Sequence, residues 1–154
     1  MNLEENMRQL EAHSKMLIES YKRVTGNSLL EVQVNTSMCA EALFNAQFVL
    51  LSHGTELDPV LNYGNRLALE LWEMDWSTFT STPSRLTAEP MERGQREKLL
   101  ENARTQGFSA DYTGVRISRS GRRFEIRNAI IWSVLDSYGR YQGQAAVFSE
   151  WNPL

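Results

Sequence analysis

Three long runs in which apolar and polar residues alternate close the chain. From residue 108 to 151, FSADYTGVRISRSGRRFEIRNAIIWSVLDSYGRYQGQAAVFSEW reads as strands joined by turns at Ser120-Gly121 and Tyr138-Gly139. A period of two held over such lengths predicts a half-buried antiparallel meander. In the middle run Phe124, Ile126, Asn128, Ile130, Trp132 and Val134 fall on one side, and all six are expected on the inner face.

The pattern before residue 108 is more broken. An apolar run at 48–53 predicts a first strand, and 57–62 a second. Asn65 is placed to cap a short helix over 66–73, and 75–79 predicts another turn of helix. Pro83 and Pro90 bracket a loop, after which 92–106 reads as a polar helix that buries Leu99, Leu100 and Ala103 and stops at Gly107. Near the start, 3–24 has a helical period: Leu3, Leu10, Leu17 and Val24 repeat every seven residues, interleaved with Met7, Ser14 and Tyr21, before Thr25-Gly26-Asn27 ends it. Such a stripe either lies on the chain's own sheet or forms a dimer seam. A shorter helix is expected over 38–46, with Thr36 or Ser37 as its N-cap. The division that follows is a flanking helix and connector over 1–36 and a core over 37–154.

Length and composition agree with one such unit. The 154 residues are one domain's worth, and no internal repeat or low-complexity tract divides them. One cysteine, Cys39, excludes an internal disulfide and any multi-cysteine metal site, and two histidines leave little for a transition metal, so no metal is expected. A net charge of -3 argues against a general nucleic-acid binder. No apolar run reaches the ~20 residues of a membrane span, and the first residues lack a signal-peptide pattern, so a cytoplasmic protein is expected. Arg116, Arg119, Arg122, Arg123, Arg127 and Arg140 all fall in the meander, as a solvated face or as a docking patch for an acidic partner.

The order of strand, short helices, connecting helix and three-strand meander is that of a PAS domain. More specifically, the run from Leu51 to Arg66 (LSHGTELDPVLNYGNR), the PSRLTAEP loop at 83–90, GVRIS at 114–118 and GQAAVF at 143–148 resemble the MEKHLA domain, over about residues 10 to 151. That PAS-like module occurs as a small stand-alone microbial protein and at the C-terminus of plant homeodomain–zipper regulators. The resemblance implies an α+β fold with a five-stranded antiparallel sheet, helices on one face and an N-terminal flanking helix. It also implies sensing or regulated interaction, with no catalytic residue set and no agreed ligand.

Candidate chemistry is sparse. The aromatic residues Phe48, Tyr63, Trp72, Trp76, Phe79, Phe108, Tyr112, Trp132 and Phe148 are either core or the wall of an apolar cavity between sheet and helices. Tyr63, Tyr112 and Asn128 would be the polar groups of such a cavity, and its ligand a small apolar or aromatic molecule. Asn128 is a misfit on an apolar face, because burying an unpaired amide costs ~1–3 kcal/mol, so it either satisfies backbone groups or meets a ligand. His53, followed by Glu56 and Asp58, is either a turn histidine bonded to a backbone carbonyl or a general base oriented by Asp58. The second option belongs to an alternative class, the small NTF2-like isomerases and dehydratases, where Asp111 is another possible acid. Strand order separates that class from PAS, in which the first strand lies centrally beside the last. A third class is a purely structural dimerisation module with a filled core. The ligand, a protein partner and a homodimer are the expected associations, with neither nucleic acid nor membrane.

No cofactor is expected. Flavin photosensors of the PAS type carry a reactive cysteine in an Asn-Cys-Arg-Phe-Leu-like helix, which this chain lacks, and the 92–106 helix offers no axial histidine for haem. Protein isolated from its own cells should therefore be colourless, and a flavin or Soret band in its absorption spectrum would refute this.

Overall fold

The computed structural model describes residues 3–30, 39–91 and 93–154, with the side chains of 3–7 and 93 excepted. In chain order the elements are α1 (Leu3–Thr25), α2 (Cys39–Phe44), β1 (Val49–His53), β2 (Leu61–Gly64), α3 (Arg66–Trp72), α4 (Trp76–Phe79), a 3-10 turn (Ser84–Thr87), α5 (Arg93–Gln106), β3 (Phe108–Ile117), β4 (Arg123–Leu135), β5 (Tyr141–Phe148) and β6 (Glu150–Pro153). All strand pairings are antiparallel, in the order β2-β1-β5-β4-β3. The first strand is thus central beside β5, which is the PAS arrangement and overturns the NTF2-like alternative. A sixth strand, β6, joins the five expected ones by pairing with the first half of β4. The second strand begins later than its 57–62 expectation, because 57–60 is a loop into the Leu61–Gly64 strand. Thr36 and Ser37, the expected caps of α2, lie outside the described residues; within them the Glu11 carboxylate accepts from the Cys39 and Ala40 backbone N–H groups, both at 2.9 Å.

The sheet is covered on both faces. On one, Val49, Leu51, Phe124, Ile126, Ala129, Ile131 and Phe148 pack against Ala68 and Trp72 of α3 and Phe79 of α4. Trp72 is the centre of this layer, with edge-on ring contacts to Phe79, Phe124 and Phe148 and an indole N–H donated to the Thr87 carbonyl at 3.2 Å. On the other face, Leu50, Tyr63, Trp132, Val134, Ala145 and Val147 pack against Leu17 and Tyr21 of α1 and Leu43 of α2. Trp132 meets Tyr21 edge-on, with 4.8 Å between ring centroids, and donates its indole N–H to the Ser20 hydroxyl at 3.2 Å. From Leu10 to Val24 the α1 stripe therefore faces the chain's own sheet, with Ser14 and Leu17 fully buried.

One local feature corrects the expected face of β4. Asn128 has φ 54°, a left-handed conformation that asparagine tolerates better than most residues. Opposite it the β3 register jumps: Gly114 pairs with Ile126 but Tyr112 pairs with Ala129, so β4 holds an extra residue there. A one-residue insertion reverses the phase of everything after it. Phe124 and Ile126 consequently share a face with Ala129 and Ile131, whereas Ile130, Trp132 and Val134 face α1. Asn128 itself is exposed and donates to the Glu150 carboxylate on β6.

Two glycines are needed for close approach. A Cβ on Gly64 would lie 2.6 Å from the Phe79 ring, and one on Gly143, at φ +134°, would lie 2.0 Å from the His53 carbonyl oxygen.

Two substitutions test this layering. Trp132→Ala is expected to lower stability by ~3–5 kcal/mol in urea denaturation followed by circular dichroism. Asn128→Gly should change stability by less than ~1 kcal/mol because glycine accepts the positive φ, whereas Asn128→Val should destabilise by ~1–3 kcal/mol. Equal effects of glycine and valine would contradict the bulge.

Candidate functional site

Two of the cavities along the sheet lie one on each side of β1 and β2. The interior chamber, about 220 Å³, lies between the sheet and the α5 side of the domain. Leu51, Ile126, Ile131, Phe148, Met91 and Leu99 give it apolar walls, and His53, Arg116 and Gln144 also border it. Pockets for drug-sized ligands occupy roughly 300–1,000 Å³, so this chamber suits only a very small molecule. Its wall includes no cysteine, and Cys39 sits at the start of α2 beside Glu11, where burial and that carboxylate push its thiol pKa up. The thiol that covalent flavin photochemistry requires is therefore not at this chamber.

The second cavity is larger, about 770 Å³, and lies at the β2 edge where α1, α2 and α4 converge. Leu10, Phe44, Val60, Leu61 and Trp76 supply its apolar wall, and Gln9, His13, Glu56, Asn62 and Thr80 its polar groups. Three elements with quite different sequence signals bring these groups together. The α1 stripe carries Leu10 and His13 onto the sheet. Asp75 starts α4 by accepting from the Thr78 N–H at 2.8 Å, which sets Trp76 in its first turn. The 54–60 loop is closed by Gly54 donating to the Val60 carbonyl at 3.0 Å and by Val60 donating to the Glu56 carboxylate at 3.0 Å.

Electrostatics at this cavity follow from those bonds. Ser52 donates its proton to the Asn62 amide oxygen at 2.5 Å, so its oxygen accepts from His13 Nε2–H at 3.0 Å. Desolvation lowers the His13 pKa to about 4, and the imidazole is neutral at pH 7. Backbone N–H groups, that of Val60 foremost, hold the Glu56 carboxyl below its ordinary range and keep it ionised. Behind the wall, Tyr63 is fully buried between two of the lining rings, 5.7 Å from His13 and 5.7 Å, edge-on, from Trp76. Its hydroxyl has no hydrogen-bond partner among the described residues, and burial pushes its pKa up.

The residues singled out by sequence are dispersed among these places. Trp76 lines the larger cavity and Phe148 the interior chamber, while Tyr63 stands just behind the larger cavity. Trp72, Phe79 and Trp132 are core. Phe48 and Asn128 border a shallow hollow outside β4 and β5, and Tyr112 another beside β3, where it takes the Arg116 guanidinium over its ring. Phe108 packs at the margin of the α1-side core. His53 borders the interior chamber but donates Nδ1–H to the Gly54 carbonyl at 2.9 Å, and Asp58 is held by Arg85 at 3.1 Å; no His53–Asp58 dyad forms. Asp111 is an exposed bulge residue of β3 at φ 57°. Four meander arginines are paired within the chain: Arg122 with Glu73, Arg123 with Glu89, Arg127 with Glu125 and Arg140 with Asp136. Leu10, His13 and Phe44 were missed as lining residues. Helical period marks only that a stripe is covered, and nothing local shows that its N-terminal end overhangs β2.

The strand order and helix placement define a PAS-type domain, and solved structures agree. The chain is similar to the PAS domain of a protein from Colwellia psychrerythraea, with TM-score 0.58 and 12% identity over 75% of this chain and 92% of that one. It is similar to the dark structure of the blue-light photoreceptor Aureochrome1 LOV, with TM-score 0.52 and 19% identity over 79% of this chain and 87% of that one. An RNA-binding light-oxygen-voltage receptor gives TM-score 0.62 at 15% identity, over 79% of this chain and 36% of that one. At such identities the likeness is one of fold. No curated protein matches the chain. The MEKHLA domain model matches residues 11–153, and the chain belongs to that family. Among the described residues no helix is long and apolar enough to cross a membrane, and no three His, Cys, Asp or Glu side chains are grouped to hold a metal ion.

The position of His13 has a consequence for pH dependence. Its folded pKa lies below the ordinary 6.5, so between about pH 6.5 and 4 the unfolded chain binds the extra proton. Stability should therefore rise with pH through that window and fall as pH drops through it, by roughly 2–3 kcal/mol once partial exposure is allowed for. Denaturation midpoints at pH 7 and pH 4.5 should differ less in His13→Gln than in the parent, and an equal loss in both would contradict this.

Proposed function

We propose that the protein is a PAS-like sensory or regulatory domain that binds a small apolar or aromatic molecule in the cavity bounded by α1, β2 and α4. Occupancy is reported through the seating of α1. The observation that carries this reading is that Leu10 and His13 of α1 form part of the cavity wall itself. The same helix is bonded to the sheet by two side-chain hydrogen bonds, Trp132 to Ser20 and His13 to Ser52. A molecule pressing on His13 acts directly on one of them. Since a ligand shifts an equilibrium only by its difference in affinity for the two states, a site walled in part by the responding element is the effective place for it.

The family membership supports a sensing role rather than catalysis, and the engagement of His53 and Asp58 with other partners supports the same reading. Output passes to a protein partner or to a change in self-association. Because the α1 stripe from Leu10 to Val24 is occupied by the chain's own sheet, any self-association in this reading uses other parts of the surface.

Amide hydrogen exchange tests the proposal. A molecule selected from small aromatics by thermal shift should change the exchange of α1 amides at least ~3-fold, with the β4 and β5 amides little affected. Binding that leaves α1 exchange unchanged, or that survives filling the cavity with Leu10→Trp, would overturn it.

A further inference from the structure

The charge pattern of the larger cavity narrows its ligand to a class, an inference that rests on the reading just given. Of its ten lining residues, Glu56 alone carries a charge, since His13 is neutral. The carboxylate accepts from the Val60 N–H and from its own backbone N–H, and an ionised carboxylate, with about four lone-pair sites, keeps acceptor capacity beyond those bonds. Phe44 and Trp76 line the same cavity, with ring centroids 6.5 Å apart at 58°. Trp76 is 37% exposed, an unusual position for the largest apolar side chain and one that leaves ring surface open to the cavity. Aromatic faces attract cations through the ring quadrupole, tryptophan most strongly, and a nearby carboxylate adds Coulomb attraction of the same sign. An anion meets the opposite on both counts, with no lining cation to offset it.

We infer that the site takes an organic cation, an amine attached to an apolar or aromatic body: the body packs on Leu10, Val60 and Trp76, and the ammonium is held by Glu56 with the aromatic rings. The Asn62 amide and the Thr80 hydroxyl border the same space and supply polar partners for the remaining ammonium protons.

Three probes sharing one aromatic body separate the terms: tryptamine as cation, indole as neutral molecule and indole-3-acetate as anion, each titrated calorimetrically into the full chain. Tryptamine should bind at least about 10-fold more tightly than indole-3-acetate, and Glu56→Gln should shrink that preference below about 3-fold while leaving indole unchanged. Glutamine keeps an acceptor for the Val60 N–H and position 56 is exposed, so the fold should survive, as circular dichroism would verify. Should it not, raising the ionic strength of the parent protein gives the same readout, because screening weakens the cation preference and leaves indole alone. Trp76→Ala should weaken all three probes. Equal binding of the three, still lost in Trp76→Ala, overturns the cation assignment and leaves the cavity reading standing. Tighter binding of the anion overturns the assignment as well. Binding of none overturns both.

Discussion

The core of this domain is organised around one buried amide, that of Asn65. Its oxygen accepts from the N–H groups of Leu50 and Ala68, both at 3.2 Å, and its nitrogen donates to the carbonyls of Phe48 at 2.8 Å and Leu43 at 3.4 Å. Its own backbone N–H goes to Leu50. One residue therefore ties α2, β1 and α3 through its side chain and the exit of β2 through its backbone. Such a bond contributes only ~1 kcal/mol net relative to water, but each buried group left unpaired costs ~1–3 kcal/mol. Because its oxygen and nitrogen are both bonded to neighbouring elements, the amide acts mainly as a constraint on their register.

With that register set, the sheet divides two tryptophans between its faces. Trp72 gathers the helices α3 and α4 and the ends of β4 and β5, and Trp132 gathers α1. Both are fully buried and both have their indole N–H bonded, as a buried polar group must. The difference lies in what they hold. Trp72 is closed in by other rings and by the turn that Glu73 clamps, its carboxylate accepting from Ser118 and Ser120. Trp132 holds a helix whose other polar tie to the sheet, His13 to Ser52, borders an open cavity. One layer is closed in by rings, and the other borders a cavity.

Much of this was legible along the chain. The meander, the Asn65 cap, the Asp75–Phe79 turn and the glycine stop at Gly107 rest on short-range periodicity and capping chemistry, which operate within a few residues and survive in the fold. The family resemblance extended the same signals to a topology. The largest failure of the reading is at Asn128, where one residue at positive φ exchanges the two faces of β4 beyond it, and no alternation rule contains that exchange; Leu100, expected on the buried side of the 92–106 helix, is exposed as well. Aromatic content likewise marked Trp72, Trp76 and Trp132 alike, although one is at a cavity and two are core.

The sequence by itself determined the elements, their order and the class of fold, because local backbone preference and hydrophobic period are properties of contiguous residues. Only tertiary structure decided the candidate site. Its charge and its walls come from positions 10, 13, 44, 56 and 76, brought together because α1 crosses the far face of the sheet and overhangs the β2 edge. Even the state of His13 is tertiary. An imidazole on an amphipathic helix reads as solvated, and it is neutral here because Tyr63 and Ser52, some 40–50 residues away in the chain, take the place of water around it.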